Sequence, residues 1–403
     1  MIPMRLSSCP FISNSPIVLR QSRTSATRTL NFPLDRRRHI SAYGYTQAKA
    51  LVYPKHGSPA DVLNLHTHSL SPPHSNLVTL RTLAAPLNPA DINQIQGTYP
   101  TAPPFAQELG TAQPSAVPGN EACFEILSAG SACKTVSKGD WVIPTRTGLG
   151  TWRTHLQVTE DRVMKINKDG LNAEQAATIS VNPVTAYRML KDFTPLKEGD
   201  WFIQNGANSG VGRAAVQFGK MWGLKSICVV RKRDGAEGEA LHKELQELGA
   251  TVVVNDEEIM EKGFGERVKE WTNGAREPLN LALNCVGGDA GMALAKTLGA
   301  GGTMVTYGAM SKSPLRVGAG MLIFKDLRFV GFWVSKWADR LPEERKKTID
   351  EVLDLIRCGS FKDVPMVEVT WSYETKKEEL LDAVQGTLEG FRKGKGMFKF
   401  GDT

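Results

Sequence analysis

A phenol on a turn and a glycine-rich segment are the features of this sequence best suited to chemistry. Tyr99 lies between Gly97 and Pro100 in APLNPADINQIQGTYP, at a predicted turn. A phenol stays protonated near neutral pH and can donate its proton to a carbanion-like centre. An aromatic residue beside Gly and Pro is more often a packed loop residue, so spacing alone does not make Tyr99 catalytic.

The glycine-rich segment, NGANSGVG, runs from Asn205 to Gly212, between the strand pattern DWFIQ and a helical pattern. We predict that Gly206 permits a tight turn, and that Gly210 and Gly212 let the backbone approach a pyrophosphate at the helix N-terminus. The spacing departs from GxGxxG, and a glycine-rich turn without a ligand is the alternative. Its place between a strand and a helix favours dinucleotide binding.

The end of the next strand indicates which dinucleotide binds. An acidic residue about 20 positions beyond the loop would accept the ribose hydroxyls of NAD. The segment KSICVVRKR supplies Arg231, Lys232 and Arg233 instead, and a 2′-phosphate requires cations. A solvated basic turn is the alternative, and NADPH is the better prediction.

No metal site is expected. A structural zinc site needs four closely spaced thiolates, and the 6 cysteines include no CxxC pair. Zinc alcohol dehydrogenases carry Gly-His-Glu where this chain has Gly119, Asn120 and Glu121. Cys123 and Cys133 are interpreted as core side chains. Any hydride transfer must then rely on a proton donor and hydrogen-bond donors.

Composition and charge describe a globular enzyme with a basic leader. Of 403 residues, 41% are hydrophobic and 23% charged, which excludes wholesale disorder. No apolar run is long enough to span a bilayer, so no integral membrane segment is expected. Residues 1–44 hold seven arginines and one acid, so the net charge of +7 (49 − 42) falls to +1 (42 − 41) in the remainder. This near-neutral body argues against a nucleic-acid partner.

The leader, residues 1–44, has the Arg-rich, Ser-rich and acid-poor composition of a mitochondrial transit peptide. We expect cleavage between Arg38 and Tyr45 and a mature protein in the mitochondrial matrix. A secretory signal and a basic tail without a targeting role are the alternatives.

The elements that position these residues follow from the remaining pattern. Short β-patterns begin at Gln47 and include PLNPADINQ, and a Pro-rich loop follows Tyr99. From about Leu171, strand and helix patterns alternate, which predicts βαβ units in a doubly wound parallel sheet. After about Trp337, a helix and a strand-rich segment are expected.

Several strings, taken together and in this order, resemble a known family: NPADINQIQGTYP, PGNEA, GLGTWRT, NPVTAYRML, NGANSGVGRAAVQ, VVRKR, TYGAMS and GFWVSKW. They resemble the zinc-free medium-chain dehydrogenase/reductase superfamily and, within it, the mitochondrial trans-2-enoyl-thioester reductases of type II fatty acid synthesis, in a fungal form. The resemblance extends from about Lys49 to the C-terminus.

The resemblance implies an α/β fold, with a doubly wound parallel (Rossmann) nucleotide domain and a β-rich GroES-like catalytic domain. The expected boundaries are a transit peptide over 1–44, the first part of the catalytic domain over 45–184, the NADPH-binding domain over 185–340 and the C-terminal part of the catalytic domain over 341–403.

The resemblance also assigns residues by position. Tyr99 matches the catalytic tyrosine. The residues that match cofactor contacts are Asn182 near the nicotinamide; Gly206, Asn208, Ser209, Gly210, Val211 and Gly212 in the pyrophosphate loop; Arg231, Lys232 and Arg233 at the 2′-phosphate, with Lys232 matching a variable position; Tyr307, Gly308, Ala309 and Met310; Phe332, Trp333, Val334 and Ser335; and, weakly, Lys395.

The activity that the resemblance implies is NADPH-dependent reduction of trans-2-enoyl thioesters, carried on acyl carrier protein or CoA, to saturated acyl thioesters. Hydride adds to C3 and Tyr99 donates a proton to C2. A homodimer is implied by analogy. The Pro-rich loop, residues 100–118, is longer than in the family pattern and lies where it would affect the fit of the acyl chain.

Two alternatives remain at this point. A zinc-free NADPH-dependent quinone or alkenal reductase shares the loop and the lack of metal ligands, and a non-catalytic NADPH-binding protein would keep the fold alone.

Overall fold

The computed structural model of the chain describes residues 44–389, 394–401 and 403. The predicted transit peptide therefore lies outside the described residues, except for Gly44. Two large sheets and a two-stranded ribbon account for the strands of the described part. None of its helices is both long enough and apolar enough to cross a membrane.

The strands, in chain order, are β1 (Thr46–Val52), β2 (Asn64–Leu70), β3 (Leu77–Pro86), β4 (Cys123–Ala129), β5 (Trp141–Pro144), β6 (His155–Thr159), β7 (Val163–Ile166), β8 (Trp201–Asn205), β9 (Lys225–Val230), β10 (Val252–Asn255), β11 (Leu279–Asn284), β12 (Thr303–Thr306), β13 (Arg328–Gly331), β14 (Met366–Trp371) and β15 (Lys395–Phe400). The α-helices are α1 (Pro59–Val62), α2 (Pro89–Gln96), α3 (Ala173–Ala177), α4 (Asn182–Asp192), α5 (Gly210–Met221), α6 (Gly235–Leu248), α7 (Phe264–Trp271), α8 (Gly288–Thr297), α9 (Ala319–Ile323), α10 (Val334–Arg340), α11 (Pro342–Arg357) and α12 (Lys377–Glu389).

A six-stranded parallel sheet forms the nucleotide-binding half, in the order β10-β9-β8-β11-β12-β13. Its central strands are mainly apolar because both faces of the sheet are buried, and all five residues of β8 are buried. The strand order changes direction at β8, between β9 and β11. Parallel sheets bind ligands at the carboxyl ends of the strands beside such a switch point, and the segment after β8 begins there. The predicted doubly wound sheet is confirmed.

The second sheet forms the β-rich half, in the order β14-β15-β3-β4-β5-β7, with β6 also paired to β3. Its strands are antiparallel apart from the parallel pair β14–β15. The C-terminal strand β15 pairs with β3, with Met397 opposite Pro86. Phe398 on β15 packs edge-on against Trp152 and Trp371, all fully buried. The C-terminal part of the chain thus completes the sheet begun by the N-terminal part.

The β-pattern predicted at PLNPADINQ was wrong, because these residues form helix α2. Asn88 is the N-cap, Pro89 occupies the first helical position, and the Asp91 side chain accepts a hydrogen bond from the Asn88 N–H at 2.7 Å. Pro at this position and a carboxylate two residues later are start signals for a helix. Gly97 ends it with a φ of 73°, a left-handed conformation that glycine adopts without strain.

A single hydrophobic core connects the two halves. It brings together Ala84 on β3, Ile143 on β5, Met397 on β15, Phe218 on α5 and Leu353 on α11. The domain boundaries at 44/45, 184/185 and 340/341 stay a proposal. The strand-rich segment expected after α11 contains, besides β14 and β15, helix α12, which the pattern did not predict.

Candidate active site

Tyr99 lies two residues beyond the C-cap of α2, on the bend that opens the Pro-rich loop. Its half-buried ring meets the ring of Trp333 edge-on, with centroids 6.0 Å apart. Burial raises the pKa of Tyr99 above 10.0; the Trp333 indole lowers this pKa, and the Asp91 carboxylate raises it. The phenol is therefore fully protonated at neutral pH, as a proton donor must be.

Trp333 comes from the other half of the molecule, between β13 and α10. Its Nε1 is buried, and it makes no hydrogen bond of acceptable distance and angle to a described residue. The Tyr99–Trp333 contact therefore joins the helix that positions the phenol to the segment 332–335, which was predicted to border the cofactor. The indole N–H lies close enough to the Tyr99 phenol to lower its pKa, so a hydrogen-bond donor stands beside the phenol.

Residues 206–212, which follow β8, form a glycine-lined turn that we call the phosphate cradle. Ser209 is the N-cap of α5, and its Oγ accepts the Gly212 N–H at 3.1 Å. A Cβ on Gly212 would lie 2.6 Å from the backbone of Ala207, and one on Gly206 would lie 2.5 Å from Cys285 Sγ. Only glycine fits at these two positions, so the backbone N–H groups of the first turn of α5 lie at the surface of the cradle.

Asn182 borders the same cradle. It is the first residue of α4, and a Cβ on Gly210 would lie 2.8 Å from its Nδ2. The structure therefore brings Asn182 to the start of α5, next to the loop with which it was grouped by resemblance. The amide contributes a polar side chain within reach of a ligand at this helix end.

A polar network that the sequence analysis missed holds the carboxyl ends of the central strands. Asn205 Nδ2 donates to Asn284 Oδ1 at 2.8 Å, and Asn205 Oδ1 accepts the Cys285 N–H at 2.8 Å. Asn284 Nδ2 donates to Thr306 Oγ1 at 3.2 Å. The signal was present, because asparagine is the last residue of two mainly apolar strands, β8 and β11.

Tyr307 follows β12 and lies on this network. Its hydroxyl is buried without a hydrogen bond of acceptable geometry to a described residue. Burial raises the pKa of Tyr307 well above 10.0, with a further increase from Cys285. Gly308 packs at the Cys285 carbonyl, whereas Met310 is 61% exposed. Of the four predicted residues 307–310, Tyr307 and Gly308 border the buried network and Met310 projects outward.

The basic cluster at 231–233 lies directly after β9 and is already engaged with acids. Lys232 Nζ donates to Glu257 at 2.6 Å, and Arg233 to Glu237 at 2.7 Å. The Lys232 pair is solvent-exposed. Such pairs contribute little stability, so their cations can exchange a carboxylate for a phosphate at low cost. The end of β9 carries no acid that would favour NAD.

The segment 332–335 divides between the core and a cleft. Phe332 packs on Phe193 and Trp337, with ring centroids 5.6 and 6.4 Å apart. Val334 and Ser335 border a small surface cleft. The other residues that line this cleft are Asn120, Thr145, Arg146, Thr147, Ser180, Val181, Ala338, Asp339 and Arg345.

Lys395 lies in a buried polar cluster rather than at the phosphate loop. Its ammonium donates to Asn88 Oδ1, and Asn88 Nδ2 donates to Glu121 Oε2 at 2.9 Å. Burial lowers the pKa of Lys395, and the carboxylates of Glu121 and Asp91 raise it. The structure shows Lys395 in a charged network that includes the N-cap of α2, and its predicted cofactor contact stays a prediction.

The same cluster contains Asn120, which stands where the sequence analysis noted a histidine in zinc enzymes. Asn120 Nδ2 donates to Asp91 Oδ1 at 2.6 Å, and its Oδ1 accepts the Gly148 N–H at 2.8 Å. Burial raises the pKa of Asp91 to about 7. Within the described ranges, no group of three or more His, Cys, Asp or Glu side chains has a metal-binding arrangement. An amide–carboxylate network occupies this position.

Two family models match the chain. The alcohol dehydrogenase GroES-like domain matches residues 74–168, which lie in the antiparallel sheet. The zinc-binding dehydrogenase model matches residues 210–356, from α5 to α11. Both matches agree with the predicted combination of a GroES-like domain and a Rossmann-type domain.

Related proteins cover nearly the whole chain. The mitochondrial enoyl-acyl-carrier-protein reductase of Yarrowia lipolytica is 45% identical over 348 residues, which is 86% of this chain and 90% of that protein. The structure of the mitochondrial 2-enoyl thioester reductase heterodimer from Candida tropicalis is 37% identical, with a TM-score of 0.83 over 88% of this chain and 99% of that one. A structure of one of its subunits with NADP and crotonyl-CoA is 36% identical, with a TM-score of 0.83 over 88% and 99%.

Replacement of Gly212 tests the cradle. Gly212→Ala places a Cβ within 2.6 Å of the Ala207 backbone, so the loop must shift and NADPH affinity should fall on the order of tenfold or more. Fluorescence titration with NADPH measures the effect. Gly265→Ala is the matched control, because nothing lies within 4 Å of its added Cβ. Equal affinity in the two variants would contradict the cradle.

Proposed function

The chain belongs to the mitochondrial enoyl-acyl-carrier-protein reductases, and we propose that it reduces trans-2-enoyl thioesters to saturated acyl thioesters with NADPH. The observation that carries the proposal is the position of Tyr99. Its protonated phenol lies against Trp333, at the junction between the half that supplies the phenol and the half that supplies the phosphate cradle.

We propose that the cofactor's phosphates are held by the α5 N-terminus and by cations after β9. The first two residues of α5, Gly210 and Val211, present backbone N–H groups to the pyrophosphate, and Arg231, with Lys232 and Arg233, neutralises the 2′-phosphate. We assign Asn182, Tyr307, Gly308 and the segment 332–335 to the border of the nicotinamide, as the resemblance in sequence implies. NADPH, when bound, supplies the hydride that C3 of the enoyl thioester accepts.

The role of Tyr99 follows from the chemistry of conjugate reduction. Addition at C3 leaves negative charge delocalised over C2 and the thioester oxygen. The Tyr99 hydroxyl donates its proton to C2, directly or through one water, and is reprotonated from solvent. Because the pKa of Tyr99 is raised above 10.0, its hydroxyl stays protonated throughout the neutral pH range.

The thioester is carried on acyl carrier protein or CoA, and the reaction takes place in the mitochondrial matrix. Relatives are named mitochondrial, and the Arg-rich leader, residues 1–44, has the composition of an import signal. Turnover of NADPH with enoyl thioesters of increasing length, beginning with crotonyl-CoA, tests the activity. A quinone in place of the thioester tests the alternative; faster turnover with the quinone would overturn the proposal.

We propose a homodimer formed through the edge of the parallel sheet. Strand β13 ends the sheet and pairs only with β12 among the described strands, so its other edge has unpaired backbone groups. Leu322, Ile323 and Phe324, at the end of α9, are 50%, 70% and 84% exposed. An apolar patch of this kind marks an interaction surface. The related structure from Candida tropicalis is a heterodimer.

Tyr99→Phe removes the hydroxyl that carries the donated proton and keeps the ring. We expect the turnover number to fall on the order of 10²- to 10⁴-fold, with NADPH affinity retained, in an NADPH oxidation assay with crotonyl-CoA. Tyr373→Phe, at a tyrosine that is 39% exposed, is the control. A turnover number within a few-fold of wild type would remove Tyr99 from this role.

Arg231→Ala removes a guanidinium that is assigned to the 2′-phosphate. NADPH affinity should fall on the order of tenfold or more, while NADH affinity changes little, because only NADPH carries this phosphate. Titration with both nucleotides measures the ratio, and Arg276→Ala, at an exposed arginine, is the control. An equal loss for the two nucleotides would exclude the assignment.

Phe324→Asp places a carboxylate in the exposed apolar patch. We expect the dimer to dissociate into monomers at micromolar concentration, because the charge would be desolvated in the interface. Sedimentation velocity measures the mass. Met260→Asp is the control, because Met260 is 53% exposed and lies far from α9 in the sequence. This variant should remain dimeric. A monomeric wild-type protein, or a dimeric Phe324→Asp variant, would contradict the proposal.

A further inference from the structure

Glu121 has no role in the reaction as described, yet its carboxylate connects the two halves of the site. The side chain is buried, with the residue 1% exposed. Its Oε1 accepts the Val181 N–H at 2.8 Å, and its Oε2 accepts Asn88 Nδ2 at 2.9 Å. The two donors come from segments more than 90 residues apart (181 − 88 = 93).

Each donor stands at the start of a helix that carries a site residue. Val181 is the N-cap of α4, whose first residue, Asn182, contacts the cradle at Gly210. Asn88 is the N-cap of α2, which ends just before Tyr99. We propose that Glu121 is a positioning residue, which fixes the proton donor relative to the bound cofactor. This inference rests on the proposed function.

The negative charge of Glu121 makes it an acceptor of hydrogen bonds from both segments. Asn88 can orient its amide in only one way here, because Lys395 donates to Asn88 Oδ1 while Glu121 accepts from Asn88 Nδ2. Both oxygens of Glu121 accept hydrogen bonds, as an ionised carboxylate requires. Burial raises the pKa of Glu121, and the positive charges of Lys395 and Arg345 lower it. Burial of a carboxylate costs free energy, and a neutral side chain would not hold both donors.

The position of Tyr99 depends on the hydrogen bond between Glu121 and Asn88. Helix α2 has 8 residues and is therefore about 12 Å long at ~1.5 Å per residue. It is held at its first turn by Glu121 through Asn88 and by Asn120 through Asp91. Its second half is held by Gln94, whose Oε1 accepts a hydrogen bond from Asn120 Nδ2 at 2.8 Å. A tilt of about 5° at this turn displaces the far end by about 1 Å. A misplacement of that size costs up to about 100-fold in rate.

Glu121→Gln keeps the shape but cannot accept on both sides. The new amide accepts one hydrogen bond and presents N–H to the other donor. We expect single-turnover oxidation of NADPH by crotonyl-CoA, followed by stopped flow, to slow about tenfold or more. The deuterium isotope effect on the turnover number, with NADPH labelled at the transferred position, should rise. NADPH affinity should stay within about threefold of wild type, which separates a positional effect from loss of binding.

A second substitution should restore the connection. In the double variant Asn88→Asp/Glu121→Gln, the new carboxylate accepts from the new amide and faces the ammonium of Lys395, so the net charge of the cluster is unchanged. We expect it to recover most of the single-turnover rate. The double variant also covers the case in which Glu121→Gln does not fold. If Glu121→Gln folds, a folded double variant that is equally slow would overturn the proposal. If Glu121→Gln does not fold, a folded double variant at least about tenfold slower than wild type would overturn it.

Glu174→Gln is the matched control. Glu174 is another buried glutamate, at 8% exposure, and it pairs with Lys399 at 2.6 Å. Its loss should lower thermal stability without changing the single-turnover rate or the isotope effect. Glu121→Gln with wild-type values of both, even at a lower melting temperature, would overturn the positioning role. Failure of the wild-type enzyme to oxidise NADPH with any enoyl thioester would instead overturn the proposed function.

Discussion

The site depends on the contact between the parallel sheet and the antiparallel sheet. The phenol comes from the antiparallel half and the phosphate cradle from the parallel half, so neither half contains the site. Ala84, Ile143 and Met397 from one half share a buried cluster with Phe218 and Leu353 from the other. Interfaces within a chain allow relative motion unless they are large and apolar. This core limits that motion, and the hydrogen bonds of Glu121 add direction to a contact that is otherwise non-directional.

Polar groups do two different kinds of work around the cradle. Asn205, Asn284 and Thr306 are linked to one another under the strand ends and hold the backbone in place. Lys232 and Arg233, by contrast, form solvent-accessible ion pairs with acidic neighbours. A fixed base and exchangeable cations suit a cofactor that must bind and leave in each cycle. The buried groups supply geometry at no reorganisation cost, and the exposed ones supply charge.

The sequence predicted the fold well where strand and helix patterns alternated regularly. Strand patterns that alternate with helical patterns from about Leu171 indicate βαβ units in a parallel sheet, and the phosphate cradle was evident because its glycines follow β8. Helix α2 was misread as a strand, because its start is specified by Asn88 and Pro89 rather than by hydrophobic spacing. Tyr99 could be nominated by chemistry but was placed only by resemblance. The Asn88–Glu121–Lys395 cluster escaped notice because its members are polar residues brought together by three different segments.

The pairing of β15 with β3 has a consequence for how the protein is made. Met397 lies opposite Pro86, 311 positions apart (397 − 86). Loop closure over such a distance is entropically costly and slow. While the chain emerges from the ribosome, β3 lacks its neighbour β15 until residues 395–400 have been synthesised. The nascent sheet therefore has an open flank throughout that interval, which is the kind of surface that chaperones recognise and shield.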